Sequence, residues 1–141
     1  MTVCIAATCR NATGWAIVMC TDGLGSSALG TKENSLKIRS LPHKWHCLTA
    51  GSEDDITAML QLLKQSLAPL EFVDETNIVP AAQQALRKRK EQKADEYTTR
   101  KWGMTFDDFR KSRTDFPEDE YRSDIAMIGL LTIDVDLLLC G

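Results

Sequence analysis

His46-Cys47-Leu48-Thr49-Ala50-Gly51-Ser52-Glu53-Asp54-Asp55 is the stretch on which the reading of this chain turns. Residues 45–50 are apolar and β-prone and predict a strand. Ser52 followed by three acids predicts a helix start, because carboxylates in a first turn face the positive end of the helix dipole. Ile56, Met59, Leu60, Leu63 and Leu67 then fall on one stripe at helical spacing, and Pro69 ends it. Gly51 sits at the handover from the predicted strand to the helix start.

Upstream, strands are predicted at 2–9, 14–21 and 35–41. The first two flank Asn11-Ala12-Thr13-Gly14 and read as a hairpin. Trp15-Ala16-Ile17-Val18-Met19-Cys20-Thr21 is apolar on both alternations, so burial on both faces is expected. Asp22 ends that run and precedes Gly23; it is either a turn residue or a placed carboxylate. Lys37, in Leu36-Lys37-Ile38-Arg39-Ser40-Leu41, is either a solvated edge cation or a buried one. A buried lysine needs a carboxylate partner and would lower the pKa of a nearby amine.

Thr2 follows the initiator methionine and opens the run Val3-Cys4-Ile5-Ala6-Ala7. A methionine aminopeptidase can reach past a residue this small. Removal of Met1 would leave Thr2 with a hydroxyl and a free α-amine, whose ordinary pKa of about 7.7–8.0 suits a base at neutral pH. Such a threonine is a self-contained nucleophile–base pair.

Thr2, the hairpin ending in Asp22-Gly23, Lys37 in its Lys-Ile-Arg-Ser-Leu strand and Ala50-Gly51 before an acidic helix start together resemble the proteasome β-subunit family. The likeness is nearest to the bacterial proteasome-like threonine proteases of the N-terminal-nucleophile hydrolase superfamily, and covers residues 2–67 in register. The resemblance implies an α+β domain, an αββα sandwich of antiparallel sheets flanked by helices. It implies Thr2 as nucleophile, Lys37 as the cation beside it, Asp22 as the holder of Lys37 and the Gly51 N–H as the oxyanion donor. Peptide or protein substrates, a homo-oligomeric ring and an ATP-dependent unfoldase as partner belong to the same implication. A non-catalytic proteasome-like subunit and a small-molecule amidohydrolase of the superfamily are the alternatives. The chain departs from the pattern at Ser52, where a second Gly is common, and it contains no counterpart of the family's downstream Ser and Asp. The expectation is one domain, 1–141, with its second half incomplete, either as a C-terminally truncated copy or as a short form that completes its sheet with another subunit.

Downstream, a helix is predicted over 77–97 with Pro80 in its first turn, and its charge run Arg87-Lys88-Arg89-Lys90 reads as a solvated face, with a binding patch for a partner as the alternative. Residues 98–117 read as a loop with a short helix after Thr105 that carries Phe106 and Phe109 on one face; its aromatics pack on the core or meet a neighbouring subunit. A helix from Pro117 carries Tyr121, Ile125 and Ile128, and 135–140 is a final strand.

A chain of 141 residues is long enough for one core. A net charge of −3 favours neither nucleic acid nor an anionic membrane. No apolar run approaches the about 18–20 residues that span a bilayer. With no basic start and apolar signal core, a cytoplasmic location is expected. Cys4, Cys9, Cys20, Cys47 and Cys140 form no CxxC pair, so neither disulfide nor metal site is expected. His43 and His46 lie on a turn into a strand and read as structural or surface residues. There is no phosphate-binding Gly-x-x-x-x-Gly-Lys, and no cofactor is expected.

Overall fold

The computed structural model describes residues 3–12, 14–22, 25–27, 30–32 and 37–141. It is an α+β structure. β1 (Cys4–Asn11) and β2 (Gly14–Thr21) form an antiparallel hairpin, with Cys4 opposite Thr21 and Asn11 opposite Gly14. A short ribbon follows, β3 (Gly25–Ser27) with β4 (Gly30–Lys32). β5 (Ile38–Ser40), β6 (His46–Gly51) and β7 (Val135–Cys140) make an antiparallel sheet in the order β5-β6-β7. Between β6 and β7 run α1 (Glu53–Leu67), α2 (Glu75–Trp102), α3 (Phe106–Lys111), a 3₁₀ turn (Arg113–Asp115) and α4 (Glu118–Gly129).

The core lies between the β5-β6-β7 sheet and the pair α1–α2. The predicted stripe Ile56, Met59, Leu60, Leu63 and Leu67 is buried, with Cys47, Leu41, Val73, Ile78, Ala81 and Ala85. Leu63 and Leu67 are fully enclosed, each worth about 1.5–3 kcal/mol of apolar burial. Ala81 and Ala85 let α2 approach α1 closely. Val135, Leu137 and Leu139 pack on the same core, so by the two-residue period of a strand His46, Leu48, Leu138 and Cys140 face the other way. The β1–β2 hairpin lies on that second face. Its Thr8, Ala16 and Met19 line a cavity with His46 and Cys140, and the Cys4 thiol reaches the Thr49 carbonyl at 3.9 Å.

β5 and β6 are joined by Pro42-His43-Lys44-Trp45. His43 and Lys44 both take positive φ, +58° and +66°, the backbone of the hairpin turn whose twist matches its strands. His46 Nδ1 lies 3.0 Å from the Lys44 carbonyl, which keeps this histidine in the turn.

Several expectations from the sequence are corrected. β2 is not buried on both faces: Trp15 is 77% exposed, and Ile17 and Val18 are also exposed. α2 runs from 75 to 102 rather than 77 to 97. Asp74 caps it through the Thr76 N–H, Asn77 returns a bond to the Asp74 N–H, and Gly103 closes it at φ +70°. Pro80 therefore lies inside the second turn of the helix. The charge run is not wholly solvated, because Arg89 is buried. Ser52 occupies the N-cap position of α1 without a side-chain cap bond. Of the strand predicted over 35–41, the described residues show β5 at Ile38–Ser40 only, so Lys37 lies just before the strand rather than within it; 35 and 36 lie outside the described residues.

α2 is the longer helix by a wide margin, and its last turns extend past α1. There Trp102, Phe109, Phe116 and Tyr121 pack on one another, with ring centroids 4.9–6.2 Å apart. Thus Trp102, Phe109 and Phe116 join Tyr121 in a cluster of their own, while Phe106, expected on the same face as Phe109, lies instead under Arg110. Asp124, 1% exposed, accepts bonds from Tyr97 Oη (2.7 Å), Lys101 Nζ (2.5 Å) and Trp102 Nε1 (2.8 Å) and ties α4 to α2. No helix among the described residues is long and apolar enough to cross a membrane.

The buried ionisable groups set a pH window for this fold. Burial pushes the Asp124 carboxyl up, but Lys101, Tyr97 and Trp102 together outweigh it and hold it below the usual carboxylate range. A carboxyl depressed in the folded state contributes stability above its unfolded pKa of about 3.9, and that contribution is lost as pH falls through the folded value. Burial pushes the Cys47 thiol up to about 11. A thiol raised in this way contributes fully below its unfolded value of about 8.5, and the contribution is lost as pH rises through the folded one. A melting temperature flat between about pH 5 and 8, falling below 4 and above 9, is the expected result in thermal scans. An unchanged alkaline limb in Cys47→Ala would show that Cys47 is not its source.

Candidate active site

Three segments meet at the end of the hairpin. β2 delivers Asp22, the residue before β5 is Lys37, and β6 ends in Gly51. Lys37 Nζ is 2.5 Å from Asp22 Oδ1. The lysine side chain is 8% exposed and the aspartate 29%. Of the two readings left open by the sequence, Lys37 is therefore the buried cation and Asp22 the placed carboxylate. The hydrogen bond from Lys37 holds the Asp22 carboxyl below its ordinary range; partial burial opposes it, and the lysine charge and a Val3 backbone bond add to the lowering.

The Lys37 backbone is fixed as firmly as its side chain. Its carbonyl accepts the Thr49 N–H at 2.8 Å and the Thr49 hydroxyl at 3.2 Å. Thr49 is almost fully buried, two residues before Gly51. On the hairpin side, Cys4 Sγ lies 3.6 Å from Thr21 Oγ1, and that hydroxyl donates to the Asp22 carbonyl at 3.2 Å. Nothing in their spacing marks Thr49, Cys4 and Thr21 as site residues; each reads as a small strand residue until β1 and β6 are known to touch.

Thr2 lies outside the described residues. Its chain neighbour Val3 does not: the Val3 carbonyl accepts the Asp22 N–H at 3.2 Å.

Gly51 takes φ +114°, which L side chains avoid. A Cβ built there would lie 2.0 Å from the Asp134 carbonyl oxygen, a backbone atom that cannot swing aside. The Ser52 N–H donates to that same oxygen at 2.8 Å, across to the β7 side. The Thr49 N–H points to the β5 side, onto Lys37. Successive amides of a strand alternate in direction. The Gly51 N–H is thereby directed to the β5 side, the side that carries Lys37.

No protein-family model matches the chain, and no curated protein or solved structure matches it either. The site rests on its own geometry.

Behind Gly51 lies a second charged cluster. Asp55, on the first turn of α1, is 2% exposed. Its Oδ1 accepts Arg89 Nε at 3.0 Å, and its Oδ2 accepts Lys93 Nζ at 2.6 Å and the Asp134 N–H at 3.1 Å. Arg89 also pairs with Glu96 at 2.7 Å. Burial pushes the Asp55 carboxyl up, but Lys93, the Asp134 N–H and Arg89 together hold it low. In the sequence Asp55 reads as one of three exposed first-turn acids; the burial that singles it out is set by α2. Among the described residues, no three His, Cys, Asp or Glu side chains gather as a metal site.

Proposed function

We propose that this chain is a threonine-dependent amide hydrolase of proteasome-like type, acting on peptide or protein substrates. The observation that carries the reading is the buried Lys37–Asp22 pair, held beside Val3 at the start of β1. A cation needs a strong reason to be buried, and lowering the proton affinity of the Thr2 amine and hydroxyl supplies one.

The chemistry follows from these groups. With Met1 removed, the Thr2 amine takes the proton of its own hydroxyl as Oγ attacks the amide carbon. The carbonyl oxygen becomes an oxyanion facing the Gly51 N–H, a backbone donor worth about 2.7–4 kcal/mol of barrier. The protonated amine hands its proton to the leaving nitrogen, and an ester to Thr2 remains. Water, deprotonated by the same amine, then hydrolyses that ester. Lys37 favours the unprotonated amine through its charge, and Asp22 keeps Lys37 in place.

Layer order supports the finer fold reading. Helices, the β5-β6-β7 sheet and the β1–β2 hairpin lie in sequence, as in one side and part of the other of an αββα sandwich. The exposed apolar residues of the hairpin support assembly with further copies, in keeping with a ring, since large apolar patches tend to be interfaces. An ATP-dependent unfoldase as partner remains part of the same proposal.

The test is the purified protein with Met1 shown absent by intact mass. Hydrolysis of a fluorogenic peptide panel is expected, and Thr2→Ala is expected to lose it by a factor of about 10³ or more with the melting temperature unchanged. Equal turnover in Thr2→Ala would end the assignment. A protein that keeps Met1 and hydrolyses nothing points to the non-catalytic subunit.

A further inference from the structure

We propose that Lys93 is a positioning residue for the Gly51 turn, acting from α2 through the segment 132–134. The inference rests on the reading of Gly51 as the oxyanion donor. Lys93 Nζ bridges two elements: it donates to Asp55 Oδ2 at 2.6 Å and to the Thr132 carbonyl at 2.8 Å. Asp55 Oδ2 in turn accepts the Asp134 N–H at 3.1 Å. One ammonium and one carboxylate thus hold both ends of a three-residue segment.

That segment is what Gly51 leans on. The Asp134 carbonyl accepts the Ser52 N–H at 2.8 Å, and the space above Gly51 is filled by the same carbonyl. A displacement of 132–134 therefore moves the Gly51–Ser52 peptide and, with it, the direction of the Gly51 N–H. Arg89 is not equivalent to Lys93. It binds the other carboxylate oxygen and Glu96. Arg89 also keeps Asp55 paired when Lys93 is removed, so loss of Lys93 releases the Thr132 end of the segment, while Asp55 still holds the Asp134 end, without stranding a buried charge. A charged donor released from a backbone carbonyl is the perturbation to be read.

The experiment uses the full chain, labelled with ¹⁵N, and compares wild type with Lys93→Met and Lys93→Arg. In Lys93→Met the Ser52 amide is expected to exchange about tenfold faster, with the Leu48, Thr49 and Leu138 amides unchanged. Peptide hydrolysis is expected to lose kcat about tenfold with KM unchanged, and Lys93→Arg, which can reach both acceptors, is expected to restore both readouts. Unchanged Ser52 exchange overturns the proposal, and so does an equal acceleration of all four amides, which marks a merely structural lysine. Faster Ser52 exchange in a protein whose wild type shows no Thr2-dependent hydrolysis supports the clamp and overturns the hydrolase reading alone. Should Lys93→Met fail to fold, Lys93→Gln is held to the same comparison.

Discussion

Gly51→Ala is expected to be the most damaging glycine-to-alanine change among the glycines whose surroundings are described. The alanine would have to adopt φ +114°, a strained backbone region costing about 1–3 kcal/mol. Its Cβ would also stand 2.0 Å from the Asp134 carbonyl oxygen. Relieving that overlap means pushing β7 away from β6 or flipping the peptide, at a further cost of about 1–3 kcal/mol. Gly103→Ala separates the two effects. Gly103 also has positive φ, +70°, but nothing lies within 4 Å of its would-be Cβ. That variant is expected to lose only about 1–2 kcal/mol. Urea titrations of both proteins check this, with the midpoint as the readout at unchanged slope. Equal losses would mean that the Asp134 peptide moves aside freely, and the tight packing claimed at the turn would be wrong. On the proposed hydrolase reading, hydrolysis should fall further than stability in Gly51→Ala, because a repositioned peptide would no longer aim its N–H at the oxyanion.

Asp55→Ala is expected to cost about 3–5 kcal/mol, the range for removing one partner of a buried ion pair. Domains of this kind hold about 5–15 kcal/mol in all, so the variant sits near the edge of folding at room temperature. The loss is large because Arg89 and Lys93 remain behind, with side chains 8% and 22% exposed, and the Asp134 N–H loses its acceptor. Asp55→Asn keeps the shape and one acceptor oxygen and should fall between. Equilibrium unfolding measures both. A loss below about 1 kcal/mol, the range of a surface ion pair, would show that Arg89 finds water or Glu96 sufficient. The acid limb of the stability profile should also flatten in Asp55→Asn, since a carboxyl held low in the native state is no longer there to be protonated.

How much of this was readable beforehand depended on whether a feature is local. The stripe from Ile56 to Leu67, the strand before it and the β1–β2 hairpin are periodic patterns with clear stops, and they are where the sequence put them. The ends of α2 were legible too: Asp74 to Asn77 is a capping box, and Arg100-Lys101-Trp102-Gly103 is a basic last turn with its glycine. The predicted 77–97 stops short of both ends because the helix is polar on nearly every face, so no apolar stripe marks its length. Burial was the unreadable quantity. Trp15 and Val18 look like core residues and are exposed, while Asp55, Arg89 and Asp124 look like surface charges and are enclosed. Their partners lie on other elements, as far as 79 residues away for Asp55 and Asp134, beyond the reach of spacing rules. Within the site, Asp22 and Lys37 were singled out by residue type; Thr49, Cys4 and Thr21 needed the contact between β1 and β6.

The overhanging end of α2 gives the molecule two independent centres of cohesion. At about 1.5 Å per residue the helix is about 42 Å long, and only its first part shares the core of α1 and the sheet. The aromatic cluster and the Asp124 junction hold α3 and α4 to the far end through contacts that do not touch that core. Parts of a protein with separate contacts open as separate cooperative units. The tip formed by 103–130 is thus free to unravel and reform while β5-β6-β7 and the Lys37–Asp22 pair stay closed. Substitutions within 103–130 are therefore expected to loosen the tip while leaving the hairpin end as it is.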